Sequence, residues 1–178
     1  ALAKPAGLLT SPDRVEPSRP SLMQLLHAGI KQGKPWAQAR GLTYLANAHR
    51  LDFETSGVLL LARSKPVLVV LANLFSADKP LRTLVALVQG APPDDRFEID
   101  ARLAPHPVVA GLMRVDSRHG MRARTEFEVV ERFRDCALVH CRPNTERRHQ
   151  VRVHLRQAGH AVLGDPLYGG PPLPVSRL

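Results

Sequence analysis

Aromatic residues are scarce in this chain, with one Trp, two Tyr and five Phe among 178 residues. So few rings exclude an RRM-type or OB-type platform, which stacks bases on several exposed aromatics. Cysteine is nearly absent as well, and only Cys136 and Cys141 occur. They lie an odd number of residues apart on a strand-like segment, so their side chains should face opposite sides. That spacing places them poorly for a mutual disulfide and gives no pair of CxxC motifs for zinc; a reducing cytoplasm is the natural setting. No apolar run approaches the roughly 18 residues needed to cross a bilayer. The opening Ala1-Leu2-Ala3-Lys4-Pro5-Ala6-Gly7 is too short before its Pro-Gly break to read as a signal peptide. Membrane and secretory classes therefore drop out.

Basic residues are what the chain has in excess. Lys and Arg number 25 against 16 Asp and Glu, a formal net charge of +9. A polyanionic partner follows from such a balance, and nucleic acid is the commoner one for a domain of this kind. A solvated basic surface with no ligand is the plainer alternative. With 44% apolar residues, residues 1–178 read as one domain that buries a core without disulfide or metal support.

Along the chain, Lys4-Pro5-Ala6-Gly7-Leu8-Leu9 reads as a strand end turning through Pro and Gly, with its pairing partner expected upstream of residue 1. Residues 10–20 read as a loop. Ser21 should cap a short helix with Leu22, Leu25 and Leu26 on one face. Residues 31–47 read as irregular. Gly57–Ala62 is a continuous apolar run and fits one strand buried on both sides. Ser64 and Pro66 mark the start of a helix running to about Phe75. Strands follow at Thr83–Val88 and, in short pieces, within 91–120. The alternation of Phe127, Val129, Glu131 and Phe133, turned by Arg134-Asp135 into Cys136–Arg142, predicts an antiparallel hairpin. Residues 147–158 predict a helix stopped by Gly159. Strands outnumber helices without regular βαβ alternation. The expected class is α+β, with a mixed, largely antiparallel central sheet, flanking helices and a central cleft.

Two blocks carry chemistry. The first is His49-Arg50-Leu51-Asp52-Phe53-Glu54-Thr55-Ser56-Gly57, which sets one carboxylate between potentially cationic neighbours at the mouth of an apolar run. Asp52 reads either as a turn residue bonding the amides of Glu54 or Thr55, or as an ionised group held for use. A carboxylate kept charged there by a guanidinium suits attack on a sugar carbon or stabilisation of an oxocarbenium-like centre. Only one carboxylate is evident, so two-carboxylate glycoside hydrolysis fits poorly. The second block, Arg147-Arg148-His149-Gln150-Val151-Arg152-Val153-His154-Leu155, reads either as a solvated basic helix face or as a helix with phosphate-positioning residues on one face and Val151 and Leu155 in the core. His149 and His154 lie five apart and do not share one helical turn as in HExxH, and neither His49 nor Asp165 completes a specific metal-ligand spacing.

Taken together, the blocks resemble the RluA-type pseudouridine synthases. The matching residues are His49-Arg50-Leu51-Asp52-x-x-Thr55-Ser56-Gly57, Arg147-x-His149-Gln150-x-Arg152-Val153-His154, Gly159-His160 and Gly164-Asp165-Pro166-Leu167-Tyr168-Gly169. Lys4-Pro5-Ala6-Gly7 and Ala123-x-Thr125-x-Phe127 add landmarks in the same order. The resemblance implies isomerisation of uridine in ribosomal or transfer RNA, with no metal or organic cofactor. It implies that Asp52 is the catalytic aspartate and Arg147 the basic residue paired with it. His49, Arg50, Arg148, His149, Gln150 and Arg152 are then expected to contact RNA, with Thr55 and Leu84 at the base pocket. The target base must leave its stack, at a cost of roughly a few kcal/mol.

Some positions depart from the family pattern. The strand after the helix that follows Gly57–Ala62 usually carries Lys-x-Tyr-x-Ala. Here it reads Arg82-Thr83-Leu84-Val85-Ala86, so Leu84 offers neither a π-face nor a hydroxyl. Glu146 replaces a glycine and is placed to compete with Asp52 for Arg147, and Arg148 replaces a small hydroxyl residue. Beside the enzyme, two further readings stand: an RNA-binding relative whose turnover is weakened by Leu84, and a basic structural protein.

Overall fold

The computed structural model describes residues 1–13, 18–77 and 80–172. The chain divides into two compact units, Ala1–Pro80 and Leu81–Leu178.

In the first unit, strand β1 (Leu2–Lys4) pairs antiparallel with β3 (Gly57–Leu59), and β2 (Ala46–Asn47) pairs with β4 (Leu61–Ala62). The opening segment therefore finds a partner in β3. The run Gly57–Ala62 is not one strand buried on both faces. It changes partner at Leu60, whose carbonyl accepts from Ala48 N–H and whose N–H donates to His49. Leu59 and Ala62 are buried, whereas Val58 is 65% exposed.

Helix α1 (Leu22–Lys31) begins with a capping box in which Ser21 and Gln24 satisfy each other's backbone N–H groups. Its inward face differs from the expected one: Leu22, Met23 and Gly29 are buried, while Leu25 is 55% exposed. A Cβ on Gly29 would collide with the Trp36 ring, so the glycine admits this close approach. The stretch expected to be irregular holds a short helix, α2 (Pro35–Gln38), as well as β2. Helix α3 (Lys65–Ser76) starts after Ser64 with Pro66 in its first turn, though the Ser64 side chain makes no capping bond.

The second unit is built on a four-stranded antiparallel sheet in the order β5 (Leu84–Gln89), β10 (Cys136–Pro143), β9 (Arg124–Arg132) and β6 (Arg96–Asp100). The hairpin β7 (Leu103–Pro105) and β8 (Met113–Val115) precedes β9, and helix α4 (Gln150–Gln157) closes the unit. Ala86, Val88, Phe127, Ala137, Val139 and Cys141 form the core from alternate strand positions, with Leu155 of α4 packed among them. Cys141 is buried and Cys136 half-buried, as their odd spacing requires. Burial pushes the Cys141 thiol up to about 12, so it stays protonated. The β9–β10 register shifts between Leu138 and Val139, so the alternation expected to reach Phe133 ends at the bulge and Phe133 is exposed.

Helix α4 starts three residues later than the sequence suggests. His149 adopts φ 55°, a left-handed conformation that stops the helix from extending back to Arg147. Gly159, at φ +83°, follows the C-cap residue Ala158. The α+β class with largely antiparallel pairing holds. Leu155→Ala should lower stability by about 2–5 kcal/mol, because the surrounding core closes the cavity only in part; urea unfolding measures it.

Candidate active site

Asp52 sits in the loop between β2 and β3, and this loop is tied down by side chains from distant positions. Its own carbonyl accepts from Thr55 N–H at 3.2 Å, closing a turn. The Thr10 hydroxyl donates to Leu51 O at 2.8 Å and accepts from Leu51 N at 3.1 Å, fixing both backbone groups of the residue before Asp52. Asn47 Nδ2 donates to His49 O at 3.0 Å, and Ser11 donates to Asn47 Oδ1 at 3.1 Å.

Lys4 lies beneath the turn and is 1% exposed. Its ammonium donates to Leu8 O at 2.7 Å, Pro5 O at 2.8 Å and Phe53 O at 3.5 Å, matching three donors to three carbonyls. Gly7 N–H also donates to Phe53 O, at 2.8 Å. Burial pulls the Lys4 pKa below its ordinary value, while the charges of Asp52 and Glu54 act in the opposite direction. Lys4 and Thr10 were not among the sequence candidates. The signal for Lys4 was a cation immediately preceded by apolar residues and followed by Pro-x-Gly.

His49 is not the cation beside Asp52 that the sequence suggested. Its Nε2 accepts from Leu60 N–H at 3.0 Å, so that nitrogen carries no proton, and its ring stacks on Phe75 at 4.9 Å. It is a strut between the loop and the β3–β4 junction. Arg50 is exposed, and Thr55 and Asp52 are half-buried.

In the second unit, Gln150 is the hub of a closed polar network. Its Oε1 accepts from Arg147 N at 3.1 Å and from the Thr145 hydroxyl at 2.8 Å. Its Nε2 donates to Arg124 O and to Thr125 Oγ1, both at 3.0 Å. The Thr125 hydroxyl donates in turn to His154 Nδ1 at 3.0 Å, and His154 Nε2 donates to Ala101 O at 3.3 Å. Arg147 is half-buried; its Nε donates to Arg122 O and its Nη1 to Glu146 O, each at 3.1 Å. The Glu146 carboxylate pairs with Arg82 at 3.0 Å, so its carboxylate does not compete for Arg147 as expected.

The second block is therefore not a basic surface face. Arg152 forms a buried two-pronged ion pair with Asp165, both contacts at 2.7 Å. Burial alone would raise the Asp165 pKa, but Arg152 and the amides of Leu167 and Tyr168 outweigh it and hold the carboxyl below its usual range. His149 Nδ1 meets the Tyr168 hydroxyl at 2.7 Å, and that hydroxyl accepts from Met113 N at 3.1 Å. His149, Gln150, Arg152 and His154 are all buried. The sequence assigned the first three to RNA; their hydrogen bonds to Tyr168, Thr145, Thr125 and Asp165 lie within the protein, because buried polar groups must be satisfied where they lie. Arg148 is half-buried, and Leu84 is half-buried against the sheet core. Among the described residues, no group of three His, Cys, Asp or Glu side chains is placed to hold a metal ion, and no helix is long and apolar enough to cross a membrane.

Two stability tests follow. Lys4→Met keeps most of the volume but strips Pro5 O and Leu8 O of the ammonium donor and leaves Phe53 O to Gly7 N–H alone, and should cost about 1–3 kcal/mol in thermal or urea unfolding. His154 is held neutral: burial lowers its pKa from 6.5, against smaller raising effects of Ala101 O and Asp100. Below about pH 6.5 the unfolded chain takes up a proton that the folded one refuses. Its contribution is thus complete above that pH and is lost on acidification, by up to about 1.4 kcal/mol per pH unit until the folded pKa is reached. His154→Gln should flatten that part of the stability–pH curve.

Comparison with known proteins bears on what these elements serve. The sequence pattern of the RNA pseudouridylate synthase family matches residues 1–157. The chain is 36% identical over 169 residues to the dual-specificity RNA pseudouridine synthase RluA of Escherichia coli K12, covering 94% of this chain and 72% of that protein. It is 34% identical over 169 residues to the ribosomal large subunit pseudouridine synthase D of Zymomonas mobilis, covering 93% of this chain and 51% of that one. It thus spans about half the length of the latter. The solved structure of human RNA pseudouridylate synthase domain containing 4 superposes with a TM-score of 0.75 at 25% identity, over 98% of this chain and 69% of that one. The chain accordingly belongs to the RNA pseudouridylate synthase family, in its RluA-type branch.

Proposed function

We propose that the chain isomerises uridine to pseudouridine in ribosomal or transfer RNA, with Asp52 as the catalytic carboxylate and Arg147 as the basic residue paired with it. The observation that carries the reading is the Asp52 turn, which is held by Thr10 on Leu51 and by Lys4 on Phe53. A side chain whose two flanking residues are both fixed is pre-oriented, and orientation is where such a reaction gains most.

The chemistry balances within the substrate. The C1′–N1 bond breaks, the uracil rotates, C1′ bonds to C5, and the C5 proton is lost as N1 gains one. Asp52 serves this either by attacking C1′ or by taking a ribose proton. No electrons enter or leave, so no redox partner is needed, and the resemblance implies no metal or organic cofactor. Contact with the RNA falls to Arg50, Arg147 and Arg148. His49, His149, Gln150 and Arg152 act as supports for them. Arg50 is placed to fill the gap left by the everted base or to hold a phosphate. Thr55 and Leu84 border the base. The partner is RNA without a membrane, and the two free thiols suit a reducing cytoplasm.

A second reading is favoured by one residue. Leu84 has no hydroxyl for proton transfer, and such groups contribute roughly 10²–10⁴-fold. The chain would then bind RNA with weakened turnover. Ribosomal and transfer RNA transcripts incubated with the protein and assayed for pseudouridine separate the two. The enzyme reading expects product from the wild type, at least about 10²-fold less from Asp52→Ala, and more from Leu84→Tyr. Identical modification by wild type and Asp52→Ala would end it, whereas salt-sensitive binding without product would leave the binding relative.

A further inference from the structure

Strand β6 (Arg96–Asp100) ends the four-stranded sheet, and among the described residues β9 is its one neighbour there. Val129 N donates to Asp95 O at 2.8 Å and Ala101 N to Ala123 O at 2.9 Å. Odd-numbered residues therefore bond toward β9. Because the direction alternates along a strand, the N–H and C=O groups of Arg96, Glu98 and Asp100 point away from it. Further along, Arg102 O on that outer side accepts from Asp116 N at 2.8 Å. The open edge is thus the five residues of β6 and little more.

An unpaired edge is a template for another strand, and charges usually blunt it. The charges of β6 are ordered so that an antiparallel copy of the same strand escapes that repulsion. About a two-fold axis through Glu98, Arg96 stands opposite Asp100 of the second copy, and Phe97 opposite Ile99. Opposite charges, and an aromatic beside a β-branched side chain, are favourable cross-strand pairs. Phe97 and Ile99 are half-buried, so the contact also covers apolar surface. Glu98 faces its own copy, but each carboxylate is paired with Arg124 of its own chain at 2.6 Å. The end groups have room for a second partner. The Arg96 side chain is 79% exposed, and its present partner Glu128 keeps Arg142 at 3.0 Å. Asp100 meets Arg122 at only 3.4 Å, and both side chains are exposed.

We propose that β6 is a self-association edge, through which two copies of this chain pair antiparallel and join their four-stranded sheets into one. The inference rests on the geometry of the second unit and not on the proposed action on RNA. One strand pair buries little surface, so the dimer is a weak one that depends on concentration.

Sedimentation equilibrium of the full, nuclease-treated chain tests it, from about 1 µM to about 1 mM, the span of weak association. The wild-type mass should rise from 19.6 kDa toward twice that value. Glu98→Pro removes an N–H that points away from β9, a position where an edge strand tolerates proline, and should stay monomeric. Arg96→Asp and Asp100→Arg each set like charges opposite one another at both ends of the strand pair, and each should weaken association about tenfold or more. A one-to-one mixture of these two should associate again, because one then presents two carboxylates and the other two guanidinium groups. Restoration by mixing is specific to the antiparallel register. A wild type that remains at 19.6 kDa throughout, a folded Glu98→Pro that associates like the wild type, or a mixture no heavier than its components overturns the inference. Should Glu98→Pro fail to fold, the two charge variants, which alter exposed side chains only, decide the matter alone.

Discussion

A lysine ammonium shut away from water is the constraint around which the Asp52 turn is arranged. Removing a cation from solvent costs several kcal/mol unless its donors are matched. Lys4 meets that requirement with the carbonyls of Pro5, Leu8 and Phe53. The third carbonyl belongs to the residue after Asp52, so satisfying the lysine also fixes where the carboxylate stands. The turn gains a second anchor from Thr10, and a third at its start from His49 bonded to Leu60 N–H. The cost of burying a charge is thus turned into rigidity at the one place where the proposed chemistry needs it.

The same logic recurs in the second unit with different groups. Gln150 uses all four of its hydrogen-bonding positions, and one of them holds the backbone N–H of Arg147. Arg152 and Asp165 neutralise each other inside the protein and draw the Leu167 and Tyr168 amides to the same carboxylate. A fully satisfied buried network specifies one arrangement, because any other leaves a group unpaired. His149, Gln150 and Arg152 therefore serve as scaffold within this unit.

Much of the fold was legible because it obeys period and capping rules. The β9–β10 hairpin followed from alternation, and α1 from Ser21 preceding an apolar stretch. Gly57–Ala62 misled because a continuous apolar run says nothing about a change of partner at Leu60. The α4 block misled for a related reason: arginine and histidine are seldom fully buried unless paired. Their partners, Asp165, Thr125, Tyr168 and the Ala101 carbonyl, are scattered along the chain. Asp52 stood out by local pattern alone. Lys4 entered only as part of a landmark and Thr10 not at all, since what ties them to the turn is a backbone carbonyl 49 residues from Lys4 and another 41 residues from Thr10.

The central claim is that the Asp52 carboxylate, held on its fixed turn, does the chemistry on the sugar. RNA carrying 5-fluorouridine at a target position tests it most directly, because the fluorine at C5 blocks the loss of a proton that ends the normal reaction. Denaturing electrophoresis and mass analysis should show wild-type protein forming a slow-migrating adduct with this RNA, and Asp52→Asn forming none while still binding it. An adduct of equal yield from Asp52→Asn would contradict the account.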